Sequence, residues 1–234
     1  MLADGLEALK KFDWGTDLTA LAPIEDATVA AHGNPNVSQD LENHLIAALK
    51  ENLSRDAQAY VCRKLAIVGT AAAVPTLAGL LGNKATSHMA RYALERITAP
   101  QAGHALRDAL VTVNGNLKIG VISSLGTRRD AEAVATLGSL LRDQDLAVAR
   151  AAALALGTIG TVESASVLQA ALQSAVGDKQ AQIDGLLSCA ESLLHHGKQA
   201  DARAIYKSLS GEEHGRLVRL AATRGLLACA DQRA

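Results

Sequence analysis

The sequence predicts an all-α chain, a right-handed α-solenoid of stacked antiparallel helix pairs. Three observations carry that expectation. Leu65, Leu94, Leu125 and Leu156 occupy the same place in "RKLAIVGT" (63–70), "RYALERIT" (91–98), "ISSLGTRR" (122–129) and "ALALGTIG" (153–160), and are separated by 29, 31 and 31 residues. Leu77, Leu106, Leu137 and Leu168 recur between them, in "AVPTLAGLL" (73–81), "AGHALRDAL" (102–110), "AVATLGSLL" (133–141) and "SASVLQAAL" (164–172), again 29, 31 and 31 apart. Two series in step near 30 residues mean two helical segments per repeat, each pair completing its core only against its neighbours. Third, "AVARAAALALGTIGT" (147–161) is alanine-rich, carries no charge after Arg150 and ends on Gly157 and Gly160. A surface helix keeps one polar side and a membrane span needs about 20 bulkier apolar residues. This stretch fits a helix approached closely on several sides by other helices.

In order along the chain, residues 1–53 are expected to form an atypical N-terminal helical cap, because a terminal repeat must present a polar outer face. There Pro23 starts or kinks a helix, "GNPN" (33–36) is a break, and "SQDLENHLIAALKE" (38–51) is an amphipathic helix. Residues 54–175 hold the regular repeats. Residues 176–234 continue them with one change: Leu193 follows Leu156 by 37, and Ile205 follows Leu168 by 37. Both steps grow by six, so one insertion between 168 and 193, around "SAVGDKQAQ" (174–182), explains both as a longer loop or an extended helix. "IDGLLSCAESLL" (183–194) is then a second helix and "DARAIYKSL" (201–209) the next first helix. The last helix, 212–230, opens at "SGEE", where Ser210 and Glu213 have the spacing of a capping box. The whole reads as one continuous solenoid domain.

Composition narrows the function classes. Of 234 residues 49% are hydrophobic but only 2% aromatic, so the core is Ala, Leu, Val and Ile, suited to tight helix packing. The net charge of −1 gives no global attraction for nucleic acid or an anionic membrane. Cys62, Cys189 and Cys229 are odd in number and form no CxxC pair, so they read as buried free thiols and not as a zinc site or disulfide framework. No stretch has the length of a membrane span or the apolar core of a signal peptide. The location is cytoplasmic by default, and secreted or periplasmic if a leader has been removed. The two NxS sequons, at Asn36 and Asn52, are too common by chance to argue secretion.

The repeats resemble the HEAT-repeat family, in its bacterial PBS-lyase-like branch, over roughly residues 54–175. "DAEAVATLGSLLRDQDLAVARAAALALGTIG" (130–160) carries the resemblance best: a first helix ending in LL, a short Asp-containing turn, and a second helix ending in ALGxIG. One departure is that the HEAT second helix usually opens with Val-Arg, whereas here Ala149 follows Val148 and the arginine comes one later, at Arg150. That departure bears on the Asp–Arg ladder common to such repeats. The resemblance also brings in enzymes on the same scaffold. Deoxyhypusine hydroxylase-like HEAT proteins carry His-Glu pairs holding two irons; this sequence has no His-Glu dipeptide, and Glu213-His214 runs in reverse. HEAT-like DNA glycosylases need a basic groove with aromatic side chains, and the one tryptophan, Trp14, lies in the irregular N-terminal region. Phycobilin lyases share the scaffold, which carries no activity by itself.

Other chemistry is sparse. His195 and His196 are adjacent, about 100° apart on a helix, and read as capping its C-terminus before an αL Gly197. "GLLGNKAT" (79–86) lacks the GK[ST] of a phosphate loop and reads as a turn. No catalytic, cofactor-binding or metal-binding residue is expected. The candidate partner-binding surface is "SHMARYALER" (87–96): Met89, Ala93 and Ile97 form an apolar stripe with Ala90 and Leu94 beside it, and His88, Arg91, Tyr92 and Glu95 lie opposite. In HEAT solenoids the second helices line the concave face, which places that set in the groove. Lys64, Lys118, Arg128, Arg129 and Arg150 fall near corresponding helices and extend it as a basic stripe for an acidic peptide or another anion. The plain alternative is a wet face with local pairs such as Arg91–Glu95. The expected function is a non-catalytic scaffold binding a protein or peptide, an acidic segment being the first to look for, with no cofactor, no nucleic acid and no membrane insertion. Its alternatives are an accessory or docking domain of a larger enzyme, motivated by the ends "MLADG" and "ADQRA", or a lyase-type or nucleic-acid-acting HEAT protein.

Overall fold

The computed structural model describes residues 1–174 and 177–231. Among them every regular element is helical, and no helix is long and apolar enough to cross a membrane. In chain order the helices are α1 (Leu2–Lys10), α2 (Ala22–Ala30), α3 (Pro35–Ala48), α4 (Arg55–Val68), α5 (Val74–Ala78), α6 (Ser87–Arg96) and α7 (Pro100–Thr112). They continue as α8 (Gly115–Thr127), α9 (Val134–Leu140), α10 (Leu146–Ile159), α11 (Val162–Gln173), α12 (Lys179–His195), α13 (Gln199–Leu209) and α14 (Arg216–Asp231). The chain divides into two compact units, Met1–Ser124 and Leu125–Ala234.

Within the first unit, α4 packs on α6 and α5 on α7, while α5 and α7 also flank α6. Within the second, α10 packs on α12 and α9 on α11, with α12 meeting α13 and α14. Second helices thus lie against second helices and first against first, as stacked HEAT-like pairs require. Both leucine series end inside: Leu65, Leu77, Leu94, Leu106, Leu125, Leu137, Leu156 and Leu168 are fully buried, and Leu193 and Ile205 nearly so. Each buried leucine contributes about 1.5–3 kcal/mol relative to exposure.

The α10 segment shows why its sequence is so small and apolar. Gly157 faces Gly185 of α12 so closely that a Cβ on Gly157 would lie 2.8 Å from the Gly185 Cα and 2.9 Å from its carbonyl oxygen. Reciprocally, a Cβ on Gly185 would lie 2.7 Å from the Ala153 carbonyl oxygen. Ser188 Oγ donates to the Gly157 carbonyl at 3.2 Å, so the crossing also carries a hydrogen bond. The approach is not from all sides: Arg150, Leu154 and Thr158 form a narrow open stripe at helical spacing. Gly160 then closes the helix in the left-handed conformation, φ 68°.

Several boundaries differ from expectation. The break at 33–36 is shorter: Gly33 takes φ 74°, Asn34 accepts from the Val37 amide as N-cap, and Pro35 already begins α3. Pro23 stands in the first turn of α2 and starts it without a kink. The six extra residues near 174–182 fall largely within α12, where Leu193 is the fifteenth residue, whereas Leu156 is the eleventh of α10. Ala175 and Val176 of that stretch, and Gln232–Ala234 of the terminal "ADQRA", lie outside the described residues. The Ser210–Glu213 capping box does not form. Ser210 Oγ donates to the Lys207 carbonyl at the end of α13, and α14 begins only at Arg216. Glu213 instead folds its carboxylate over Gly211, a position only a residue without Cβ leaves open.

Candidate functional site

Helix α6 presents its two faces as its sequence dictates. Met89, Ala90, Ala93, Leu94 and Ile97 are buried, while His88 and Tyr92 are exposed and Arg91 and Glu95 half-buried. Arg91 does not project into solvent. Its guanidinium lies across α8, where Nη1 donates to the Gly120 carbonyl at 3.0 Å and to Ser124 Oγ at 3.1 Å. A Cβ at Gly120 would sit 2.6 Å from the Arg91 Cζ, so that glycine makes the seat for the arginine. Ser124 is fully buried and donates in turn to Glu95 Oε1 at 2.7 Å. The Arg91–Glu95 pair of the plain alternative is thus linked through a serine on the neighbouring helix. Burial lowers the pKa of the Arg91 guanidinium, with the Glu95 charge opposing that shift.

The remaining candidates separate into distinct roles. Tyr92 is stacked under Arg96, whose guanidinium carbon lies 3.7 Å from the ring centroid. Lys64, on α4, is turned to Glu25 of α2, and Tyr60 donates to the same carboxylate at 2.8 Å. That pairing neutralises Lys64, so it adds nothing to a basic stripe. Lys118 stands half-buried in the first turn of α8. The other three, Arg128, Arg129 and Arg150, belong to the second unit. Arg129 takes φ 51° after α8, with its amide on the Gly126 carbonyl at 2.8 Å and the Asp130 amide on the Leu125 carbonyl at 3.0 Å. This is a Schellman ending with arginine where glycine is usual. Arg128 is half-buried beside it.

Arg150 reaches from α10 to Asp178, Nε to Oδ2 at 2.8 Å and Nη2 to the same oxygen at 2.7 Å. Asp178 is also the N-cap of α12, accepting from the Ala181 amide at 3.0 Å. The one-residue displacement of this arginine thus does not prevent an Asp–Arg tie between successive second helices. The Ala181 amide, followed by Arg150, holds the Asp178 carboxyl below its usual range.

A cleft of about 610 Å³ opens between the start of α6 and the start of α8. Lys84, Ser87, His88 and Arg91 line one side and Asn114–Leu117 the other, so among the described residues those lining it include no carboxylate. Ser87 is only 2% exposed, and its Oγ has no hydrogen-bond partner. The buried Arg91 Nε is likewise unpartnered. Sequence reasoning found His88 and Arg91 but missed Ser87, Lys84 and the α8 start, because "GNKATS" reads as a turn and nothing local shows that α8 begins opposite it. "GLLGNKAT" is that turn, closed by Thr86 Oγ1 on the Leu80 carbonyl at 2.9 Å.

Other polar groups are structural. Glu42, fully buried on α3, accepts from the Thr70 amide at 2.6 Å and from its hydroxyl at 3.0 Å, a contact that sequence reasoning did not find. His196 Nδ1 lies 2.6 Å from the Ser192 carbonyl, and Gly197 follows at φ 74° with the bonds of a Schellman ending. Cys62 and Cys189 are buried, which pushes each thiol up to about 12.

Comparison with known proteins bears on the repeat and little else. Residues 105–186 match the family model of HEAT repeats. No curated protein matches the chain. Among solved structures, human deoxyhypusine hydroxylase in complex with glycerol aligns over 97% of this chain and 96% of its own, at 14% identity and a TM-score of 0.37. An engineered protein aligns over the same shares at 17% identity and a TM-score of 0.42. Neither similarity is close enough to carry an argument about activity.

Proposed function

We propose that the chain is a non-catalytic helical-repeat scaffold that binds a protein or peptide partner carrying negative charge, at the cleft between α6 and α8. One observation carries the reading: Lys84, His88 and Arg91 line the cleft, and among the described residues lining it none is acidic. Tyr92 stands at 36% exposure on the same helix, and tyrosine and arginine are favoured in interfaces. The absence of catalysis is part of the proposal; the raised thiols of Cys62 and Cys189 favour it, since thiolate is the reactive form. Assignment to the bacterial PBS-lyase-like branch rests on the ALGTIG ending of α10.

Proteins co-purifying from the native organism supply the candidates, and each purified candidate is titrated against the unmodified chain, Lys84→Ala and Tyr92→Ala. Loss of about tenfold in affinity in either variant supports the reading, the scale expected for one charge-assisted contact. Equal affinity for all three proteins overturns this cleft as the binding surface.

A further inference from the structure

We infer that the cleft between α6 and α8 is a phosphomonoester site, so that the negative group it takes from a partner is a phosphorylated side chain. The inference rests on the reading of this cleft as the binding surface and names the chemistry that fills it.

Its donors outnumber what a carboxylate can use. Lys84 brings three N–H donors and no acceptor, and Ser87 one O–H. His88 Nδ1 lies 3.4 Å from Arg91 Nη2, which can only donate, so Nδ1 accepts and Nε2 is left to carry the ring N–H. Helix α8, thirteen residues long, begins at the cleft, and the first amides of any helix have no intrahelical partner. That terminus also carries a partial positive charge that favours anions.

Two observations show that the cleft is a site with unmet demand. Among the described residues, five buried side-chain polar atoms lack a partner, and Ser87 Oγ and Arg91 Nε of this cleft are two of them. An unmet buried donor is costly to the fold, and that cost is relieved when an acceptor arrives. The charge is also suitable. Lys84 is exposed and supplies a full positive charge, while that of Arg91 is shared with Glu95 through Ser124. A phosphomonoester brings about −1.5 to −2 charge and three strong acceptor oxygens. A carboxylate brings one charge and two oxygens, and leaves donors of this set unused.

The test uses the full chain labelled with ¹⁵N, titrated separately with N-acetyl-phosphoserine methylamide, N-acetyl-serine methylamide, N-acetyl-aspartate methylamide and inorganic phosphate. Amide shifts are followed at Ser87, Asn116 and Leu117. The inference expects saturable shifts with the phosphoserine compound, about tenfold tighter than with the aspartate compound, and none with the serine compound. Inorganic phosphate is expected to move the same amides; a tighter phosphoserine response identifies a peptide source, and an equal one a free phosphate. Lys84→Ala and Ser87→Ala, with otherwise unchanged spectra, each weaken phosphoserine binding. Equal binding of aspartate and phosphoserine overturns the phosphate assignment and leaves the acidic-partner reading standing. Phosphoserine binding in a chain whose partner affinity ignores both Lys84→Ala and Tyr92→Ala retains the phosphate site and removes the reading of this cleft as the partner-binding surface. No shift with any compound overturns the inference.

Discussion

Gly157→Ala tests the helix crossing with a single methyl. Carbon atoms in contact rest about 3.5–4.0 Å apart. The new Cβ would stand 2.8 Å from the Gly185 Cα and 2.9 Å from its oxygen. Both are backbone atoms of a packed helix, so no rotamer change relieves them, and α10 and α12 must move apart by about 1 Å. Overpacking of this kind costs about 1–3 kcal/mol. Alanine returns about 1 kcal/mol of helix propensity. With two backbone atoms to displace, the steric cost lies in the upper part of that range, about 2–3 kcal/mol, leaving a net loss of about 1–2 kcal/mol, equivalent to about 2–8 °C in Tm for a chain of this size. Urea unfolding followed by circular dichroism reads the difference as a lower midpoint at unchanged slope. Gly79→Ala is the control: its Cβ would meet nothing closer than 3.5 Å and its backbone is right-handed, so that variant gains about 0.4–1 kcal/mol. Gly157→Ala at or above the unmodified stability would refute the close crossing.

Glu42→Ala leaves the Thr70 amide without its buried acceptor and opens a cavity on α3; it is expected to destabilise by about 2–4 kcal/mol in the same assay. Arg129→Gly relieves a left-handed residue and should stabilise by about 0.5–1 kcal/mol, the strain exceeding the added freedom of the unfolded chain. A drop in midpoint for that variant would show that Arg129 is unstrained at its positive φ. Asp178→Ala deletes an N-cap and should cost about 1 kcal/mol near neutral pH. Because the folded pKa of Asp178 is depressed, its contribution is present above the unfolded value of about 3.9 and fades as pH falls through the folded value. The gap between unmodified and Asp178→Ala chains should therefore close below about pH 4, and a gap unchanged at pH 3 would count against the cap.

The sequence reveals most where its signal is periodic. Each leucine of the two series has to be interior, because the same position of every repeat meets the same layer, and all ten ladder positions are buried. Gly157 and the alanines around it announce a close approach, but not that Gly185 is on the other side. The site was half legible. Helical geometry alone puts His88 and Arg91 on the face opposite Met89 and Ala93. What Arg91 does there depends on Gly120 and Ser124, about 30 residues on, and on the missing Cβ that lets a guanidinium lie against α8. Lys64 escaped for the same reason, since its partner Glu25 lies in the irregular cap. Ser210 and Glu213 show the converse error. Their spacing suits a cap, but with Ser210 donating to the preceding helix, the next one starts at Arg216.

Residue-resolved hydrogen exchange measures most directly whether α10 is an interior helix of a stack of pairs. Amides of Ala152–Ile159 are predicted to exchange as slowly as those of Leu186–Leu193 in α12, both near the limit set by global unfolding of their unit. Exchange of the α10 amides at rates typical of an isolated helix, with α12 still protected, would contradict the stack.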